Sequence, residues 1–398
     1  MRDSKKCIYV DGARTVSANG NIKPCCQIPS GMAMVRVGED YENHVWTTLL
    51  KDNLDKGIED KRCETCWTKE KAGLTSYRLN GWNKYKKGQI TTDPYSFLDL
   101  KLGNKCNLMC RMCGAGSSSL IEKELTNNKH LNWPSSKNLK GPLSSLKYKD
   151  NSWYEDPAFY EDIKAHADQV RTLKFTGGEP TLIKPVHDLI EWFVKTGHAK
   201  HTVIIITTNN TNKRLKLYDD MLNFKQAILN ISVDGTEDVY NYIRYPHTWD
   251  KFLTNIEKLK PYRDKIDIQL KNTISILNAK NLVEWENWAM EDGWWHNIEI
   301  AYWPWYYNPL NLPEKILEDI KEYLATGKGH CSKQLLKQIK YEPRTQSGQK
   351  YTFKEQDPEA WQNEMMNQLV TDTQIKDTLR NQNGQFIFDD LGIQYNKA

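Results

Sequence analysis

The 398-residue sequence has no long hydrophobic run and no strong excess of charge of either sign. No stretch approaches the roughly 20 apolar residues that span a bilayer, and no uncharged apolar segment of signal-peptide length follows the start. Lysine and arginine total 55 against 51 acidic residues, so the formal charge of +4 does not favour a nucleic-acid partner. We therefore expect a cytoplasmic, reducing location and no membrane partner.

Disulfides are not expected in such a compartment, so the nine cysteines need another explanation. Five lie before residue 67, three lie in the segment 106–113, and only Cys331 stands apart. This clustering in two groups predicts two metal sites. Cys331, in Gly-His-Cys-Ser, is more typical of an incidental thiol than of a ligand.

Short β-rich segments alternate with amphipathic segments of helical length from about residue 96 onwards. The six predicted strands are Phe97–Leu102, Val170–Phe175, Val203–Thr207, Ile228–Val233, Ile266–Leu270 and Ile298–Tyr302. This alternation predicts an α/β fold with a parallel sheet. Because six units are visible rather than eight, we predict a partial (β/α)6 barrel of the TIM type.

The alternation also divides the sequence into three predicted parts. Residues 1–90 form a small cysteine-rich β-hairpin module, residues 91–305 form the partial barrel, and residues 306–398 form a mainly helical extension with Glu359–Arg380 as its long helix. The aromatic segment Tyr302–Tyr307 either lines a substrate opening or forms core beneath the C-terminal part.

Polar clusters follow five of the predicted strands. In a parallel β/α barrel the C-terminal ends of the strands carry the chemistry, so we expect these clusters on one rim. They are Cys106–Cys113, Gly177–Pro180, Thr207–Asn209, Ser232–Gly235 and Lys271–Asn272.

Cys106, Cys110 and Cys113 form the pattern C-x3-C-x2-C in the loop after the first of these strands. A [4Fe–4S] cluster normally takes four cysteines. Three therefore leave one iron open to a substrate or cofactor, as catalytic zinc sites keep one position open. The alternative is a closed zinc or iron–sulfur site whose fourth ligand lies elsewhere.

Together with Gly177-Gly178-Glu179-Pro180, this pattern resembles the radical S-adenosylmethionine (SAM) enzymes over about residues 97–302. The resemblance implies that the three cysteines hold a [4Fe–4S] cluster whose open iron binds the amino and carboxylate groups of SAM. It also implies reductive cleavage of SAM to a 5′-deoxyadenosyl radical that abstracts hydrogen from a substrate. A low-potential electron donor such as flavodoxin or ferredoxin is implied as a partner.

The resemblance further implies which residues contact SAM. Gly177 and Gly178 let the backbone approach the methionyl group, with Glu179 as a polar or charged partner of its amine. A plain strand-to-helix turn is the alternative for this segment. Before the third cysteine the family commonly has an aromatic residue, whereas this chain has a methionine. The other implied contacts are Ser232 and Asp234 with the ribose, Arg244 with the carboxylate unless it is a surface arginine, Asn209 in the same region, and Met112 near the adenine.

The N-terminal cysteines resemble the twitch and SPASM auxiliary-cluster modules of radical SAM enzymes, with Gly20 at the turn of a hairpin. Cys26 is left out, because on a strand it points away from the face of its neighbour. The larger SPASM module needs more cysteines, so the one-cluster twitch type is the better match. The implied ligands of a second [4Fe–4S] cluster are Cys7, Cys25, Cys63 and Cys66.

This module usually follows the barrel, whereas here it precedes it. A structural zinc site with four cysteine ligands is the alternative, since paired cysteines across a hairpin are also typical of zinc ribbons.

The resemblance implies an enzyme that removes hydrogen from an unactivated C–H bond. Relatives with auxiliary modules often modify peptides or proteins, which favours that substrate class by analogy. The alternatives are a radical SAM enzyme acting on a small molecule or nucleotide, and a metal-stabilised binding or scaffold protein without turnover.

Overall fold

The computed structural model of the chain describes residues 4–29, 32, 35–71, 73, 75–135, 141–147, 152–212, 215–340 and 357–395. Its strands are β1 (Ala13–Val16), β2 (Asn21–Lys23), β3 (Val35–Arg36), β4 (Phe97–Lys101), β5 (Thr172–Thr176), β6 (Val203–Thr208), β7 (Gln226–Ser232), β8 (Asp267–Ile274) and β9 (Trp295–Ile300). All nine form one open sheet in the order β3-β2-β1-β4-β5-β6-β7-β8-β9.

The six strands from β4 to β9 pair in chain order, and every pair is parallel. Each of them overlaps one of the six predicted strands. Consecutive parallel pairing needs a crossover between neighbours, which places helices over the faces of the sheet. The predicted α/β class with a partial barrel is therefore confirmed.

The N-terminal hairpin extends this sheet. β1 pairs antiparallel with β2, and Gly20, with φ 79°, donates its N–H to the carbonyl of Ser17 at 2.8 Å in the turn between them. β1 also pairs parallel with β4, with Ala13 opposite Phe97. The sheet is thus continuous across residue 90, while the three-part division of the chain stays a prediction.

The helices cover the sheet and form the C-terminal part. They are α1 (Ile8–Gly12), α2 (Val45–Asp55), α3 (Glu64–Lys71), α4 (Tyr77–Lys86), α5 (Ser119–Asn127), α6 (Pro157–Ala165), α7 (Lys184–Lys195), α8 (Lys216–Met221), α9 (Glu237–Ile243), α10 (Trp249–Glu257), α11 (Leu282–Glu291), α12 (Glu314–Ala325), α13 (His330–Lys340), α14 (Pro358–Arg380) and α15 (Gln385–Asp390). None of these helices is long and apolar enough to cross a membrane.

The long helix α14 covers the aromatic segment that follows β9. Tyr306 and Tyr307 are buried, and the Tyr307 hydroxyl donates to the carboxylate of Asp372 on α14 at 2.7 Å. These two rings therefore belong to the core beneath the C-terminal part, the second of the two predicted arrangements.

Candidate functional site

A cavity of about 160 Å³ lies where β4 to β8 end or pass into loops. Because these strands are parallel neighbours, their C-terminal ends meet at one edge of the sheet. The lining residues come from five successive units. They are Cys106, Leu108, Cys110, Met112, Cys113, Ser117, Ser118, Gly177, Gly178, Thr207, Thr208, Asn209, Ser232, Asp234, Arg244 and Thr273.

The loop that carries the three cysteines is held by backbone hydrogen bonds to the last residue of α9 and to the segment just after it. The Met109 N–H donates to the carbonyl of Tyr245 at 2.7 Å, and the Arg111 N–H donates to that of Ile243 at 3.0 Å. Within the loop, Cys113 N–H donates to the carbonyl of Cys110 at 3.0 Å. The structure therefore fixes this segment as a defined turn over the cavity rather than as an open loop.

The three thiols share a cavity in which the charged form of an isolated thiol is disfavoured. Burial raises the pKa of Cys106 to about 11. A hydrogen bond from Cys110 to Cys113 raises the pKa of Cys110, which burial also raises, and lowers the pKa of Cys113. A bound cation offsets the cost of buried thiolates, and soft sulfur ligands suit iron–sulfur clusters. This donor set fits a [4Fe–4S] cluster.

The two glycines after β5 bring bare backbone to the cavity wall. A Cβ added at Gly178 would lie 2.3 Å from the carbonyl oxygen of Lys105, and one at Gly177 would lie 3.0 Å from Cγ of Lys101. Gly177 also has φ 122°, a conformation that L side chains rarely adopt. Both positions therefore require glycine, because this segment packs closely against residues 101–105, and both glycines line the cavity.

Glu179, the third residue of that segment, lies behind the cavity wall. Its Oε1 accepts hydrogen bonds from the N–H and hydroxyl of Thr181 at 3.1 and 2.7 Å and from the hydroxyl of Thr208 at 2.7 Å. Its Oε2 accepts the N–H of Asn209 at 2.6 Å. Burial raises the pKa of this carboxyl. Glu179 ties the loop after β5 to the end of β6, and its contact with the SAM amine stays a prediction.

Arg244 and Asp234 form a buried ion pair at the floor of the cavity, with Nη1 and Oδ2 2.5 Å apart. The other oxygen of Asp234 accepts the N–H of Thr273 on β8 at 2.8 Å. Nε of Arg244 is buried and has no hydrogen-bond partner among the residues that the structure describes. A buried donor is normally satisfied, so this one fits an anionic group of a ligand, such as a carboxylate.

The structure brings together most of the predicted SAM contacts. Met112, Asn209 and Ser232 line the same cavity as the glycines and the ion pair. Nδ2 of Asn209 lies 3.9 Å from Sγ of Cys106 and donates to Oδ1 of Asn107 at 3.0 Å. Of the eight predicted contacts, only Glu179 does not line this cavity.

Two features at or beside the cavity were missed from the sequence. Lys101, at the end of β4, donates to the hydroxyl of Ser117 at 3.0 Å, and burial lowers the pKa of its ammonium group. Thr273 reaches the site because β8 continues to Ile274, beyond the predicted end at Leu270. In the structure the alternation of burial continues to Ile274, but the sequence does not show it, because Lys271, Asn272 and Thr273 are three polar residues in a row.

The cysteine loop is also anchored to the C-terminal helix α14 through a buried charge network. The guanidinium of Arg111, between the second and third cysteines, pairs with Asp377, and both side chains are fully buried. Asp377 also accepts hydrogen bonds from the hydroxyls of Tyr242 and Tyr395 at 3.0 and 2.6 Å and from the N–H of Gly384 at 2.7 Å. Arg111 and Asp377 are more than 260 positions apart in the chain, and no pattern in the sequence predicts that they pair.

Two more basic residues of α14 bind the backbone of the same loop. Nζ of Lys376 donates to the carbonyl of Arg111 at 3.1 Å, and Nη1 of Arg380 donates to the carbonyl of Met109 at 2.8 Å. Arg380 also pairs with Glu124 on α5, with Nη2 and Oε2 2.7 Å apart. The C-terminal part therefore holds the cysteine loop in place from outside the barrel.

The N-terminal cysteines line a second, narrow cavity beside α1, α3 and α4. Cys7, Cys25, Cys63 and Cys66 all border it, and burial raises the pKa of each thiol, that of Cys7 to about 12. Cys26 is exposed and does not border this cavity. Four converging thiols fit either a four-ligand iron–sulfur cluster or a tetrahedral zinc ion.

Residues 100–288 match the family described as the Radical SAM superfamily. No curated protein sequence matches the chain. Among solved structures, "Native anSMEcpe with bound AdoMet" is 15% identical, with 56% of this chain and 58% of that chain covered and a TM-score of 0.38. The matched region thus covers less than two thirds of the anSMEcpe chain. Two structures of SuiB from Streptococcus suis, bound to S-adenosylmethionine and to precursor peptide SuiA, are each 14% identical. They cover 79% of this chain and 68% and 70% of theirs, with TM-scores of 0.39 and 0.37.

The fold and the site together define a parallel α/β protein with three cysteines at the C-terminal edge of its sheet. The family match identifies the part of the chain that carries this edge as a radical SAM domain, which confirms the predicted resemblance. Domains of this family belong to enzymes that use a [4Fe–4S] cluster together with SAM.

Proposed function

We propose that the chain is a radical SAM enzyme in which Cys106, Cys110 and Cys113 hold the [4Fe–4S] cluster. The observation that carries the proposal is that these three cysteines line one cavity together with Arg244, whose buried Nε has no hydrogen-bond partner among the described residues. When bound, the reduced cluster would supply the electron that splits SAM into methionine and a 5′-deoxyadenosyl radical.

The chain's own residues bind and orient the cofactor in this proposal. Arg244 receives the SAM carboxylate, while Asp234 holds the guanidinium in place through the 2.5 Å ion pair. The backbone of Gly177 and Gly178 accepts the methionyl group, and Ser232 contacts the ribose. Asp234, the second predicted ribose contact, already accepts hydrogen bonds from Arg244 and Thr273 and serves here to hold the guanidinium. The buried wall excludes water from the reacting atoms.

Anaerobic incubation of the iron-loaded chain with SAM and dithionite tests this function directly. We expect 5′-deoxyadenosine and methionine in equal amounts, detected by liquid chromatography and mass spectrometry. Iron-loaded protein that binds SAM but forms no 5′-deoxyadenosine, with any candidate substrate, would instead indicate a binding or scaffold protein.

The change Arg244→Lys should weaken SAM binding by roughly 10- to 100-fold. Lysine keeps the positive charge but lacks Nε, so it cannot donate in the same geometry, and a hydrogen bond to a charged group contributes about 1.5–3 kcal/mol. Equilibrium dialysis with labelled SAM measures the dissociation constant. Arg171→Lys is the matched control, because Arg171 precedes β5 at the opposite edge of the sheet. If the two variants bound SAM with equal affinity, Arg244 would not be a SAM-binding residue.

We further propose that Cys7, Cys25, Cys63 and Cys66 hold an auxiliary [4Fe–4S] cluster of the twitch type. Their common cavity supports a shared metal group, and the raised pKa values of the thiols mean that ionised ligands there need a compensating cation. A four-cysteine zinc site is the competing assignment.

Metal analysis of the anaerobically prepared chain separates these assignments. Two [4Fe–4S] clusters correspond to about eight irons per chain, and one cluster with a zinc ion corresponds to about four. We expect Cys63→Ser to lose about four irons. Loss of zinc with unchanged iron in this variant would identify the N-terminal site as a zinc site, and Cys26→Ser, at the exposed cysteine, should change neither metal.

A peptide or protein is the substrate class we propose, on the resemblance of the N-terminal cysteines to auxiliary modules. A flavodoxin or ferredoxin as electron donor and a cytoplasmic location complete the proposal. Transfer of deuterium from a labelled candidate substrate to 5′-deoxyadenosine identifies the true substrate. Transfer from a small molecule or nucleotide, and from no peptide, would replace the peptide assignment.

A further inference from the structure

A third group of metal-ligating side chains lies away from both cysteine cavities. It consists of Glu286 on α11, His296 on β9, and His330 and Cys331 at the start of α13, and one ligand atom from each lies within 4.8 Å of the others. Glu286, His296 and Cys331 are buried, whereas His330 is exposed. The group therefore joins the last β/α unit of the sheet to the C-terminal helices.

Two separations within the group match those between ligands of one small metal ion, and all of them are at most 4.8 Å. Nε2 of His330 lies 3.4 Å from Sγ of Cys331, and Nε2 of His296 lies 3.6 Å from Oε1 of Glu286. Zinc–ligand bonds of about 2.0–2.3 Å in a tetrahedron place neighbouring ligand atoms roughly 3.3–3.8 Å apart. Both distances fall in this interval.

His296 presents to Glu286 a ring nitrogen that makes no hydrogen bond of normal length among the described residues. Its Nδ1 lies 2.8 Å from the carbonyl oxygen of Trp294, which can only accept, so Nδ1 carries the proton. In the neutral ring Nε2 then carries a lone pair that faces the carboxylate of Glu286. The 3.6 Å between Nε2 and Oε1 of Glu286 is too long for a hydrogen bond. Nε2 is buried, the His296 side chain is 7% exposed, and no other partner reaches Nε2 among the described residues.

This arrangement is the one that metal-binding histidines usually show. A ligating histidine typically donates its other ring N–H to a carbonyl or carboxylate, which fixes the tautomer and aims the free nitrogen at the metal. A cation between Nε2 and the carboxylate would also remove the repulsion between two acceptors.

The loop before α13 is shaped to approach Glu286 closely. A Cβ at Gly329 would lie 1.9 Å from Cδ of Glu286, so glycine is required there. Oε1 of the carboxylate accepts the N–H of Cys331 at 2.6 Å, and Oε2 accepts the N–H and the hydroxyl of Ser332 at 3.1 and 2.5 Å. These bonds orient the carboxylate at the start of α13 and leave it further lone pairs for a metal.

We propose that Glu286, His296, His330 and Cys331 form a mononuclear site for a divalent transition-metal ion, with zinc as the best match. One thiolate, two imidazoles and one carboxylate make a mixed set that suits zinc in tetrahedral geometry. The ion fastens α13 to α11 and β9, and so attaches the C-terminal part to the barrel. Cys331 is then a ligand rather than an incidental thiol.

Zinc binding by the full chain, prepared anaerobically with its iron–sulfur content intact, tests this site. We expect the wild type to bind one more zinc per chain than Cys331→Ser, measured by mass spectrometry of the metals after removal of loosely bound ions. For the zinc ion that the wild type binds and Cys331→Ser does not, X-ray absorption at the zinc edge should give one sulfur ligand at about 2.3 Å and three nitrogen or oxygen ligands at about 2.0 Å. Four sulfur ligands for all bound zinc would overturn the proposal.

A second variant guards against misfolding of the first. Because His330 is exposed, His330→Ala should leave the thermal midpoint of the zinc-free chain unchanged while weakening zinc binding at least tenfold. Cys26→Ser, at an exposed cysteine outside the group, should keep wild-type zinc. Equal zinc content and affinity in the wild type, Cys331→Ser and His330→Ala would overturn the site, leaving an ion pair between a protonated His296 and Glu286.

Discussion

Replacing Cys110 with alanine is expected to abolish the formation of 5′-deoxyadenosine from SAM, down to the level of a reaction without enzyme. Cys110 is buried in the middle of the cysteine loop, and with two cysteines left the cluster has too few ligands to persist. We expect the variant to lose about four irons per chain as well. Product formation is measured by chromatography under anaerobic conditions, and iron by chemical analysis.

The exposed Cys26 provides the matched control for this prediction. Cys26→Ala removes a thiol that borders neither cysteine cavity, so it should keep wild-type iron and wild-type SAM cleavage. Circular dichroism of both variants checks that the fold is intact. Cleavage of SAM by a folded Cys110→Ala chain would refute the assignment of the cluster to this loop.

Asp377→Asn is expected to lower the free energy of unfolding by about 3–5 kcal/mol, because it breaks a buried ion pair from one side. The guanidinium of Arg111 is fully buried against Asp377, and the carboxylate also accepts two tyrosine hydroxyls and the N–H of Gly384. An asparagine amide cannot neutralise that charge and turns a donor toward other donors. Urea unfolding followed by circular dichroism measures the loss.

The same variant should also loosen the cysteine loop, since Arg111 lies between two of its cysteines. We expect faster hydrogen exchange in segment 106–113 and faster loss of iron than in the wild type. Asp188→Asn is the matched control, because Asp188 pairs at 2.5 Å with Lys184 while both side chains are exposed, and such pairs contribute little. If the two variants unfolded at the same urea concentration, the buried network would not hold the loop.

The strands and the cysteine loop could be predicted from the sequence because their signals are local. Each of the six parallel strands is a short β-rich run. The hairpin turn was predicted at Gly20, and in the structure Gly20 adopts a φ of 79°, which favours glycine. The cysteine spacing and the Gly177-Gly178 pair depend on neighbouring residues only. Parallel pairing then places their ends on one edge, which is why most predicted SAM contacts line one cavity.

The features that were missed depend on residues far apart in the chain. The pairing of Arg111 with Asp377 and the group around His296 each join segments that carry no shared pattern. The sequence favours an incidental thiol at Cys331, because this residue stands apart from the two groups of cysteines. Its candidate partners on other elements arrive through the packing of α13 against α11 and β9.

The sequence by itself determined the class of the fold and the spacing of the three cysteines, since hydrophobic period and residue spacing are properties of adjacent residues. Only the tertiary structure decided that the hairpin extends the barrel sheet and that α14 anchors the loop. It also decided that Glu179 lies behind the cavity wall, where four protein donors satisfy its carboxylate. The physical reason is that burial and hydrogen-bond partners arise from the packing of distant segments.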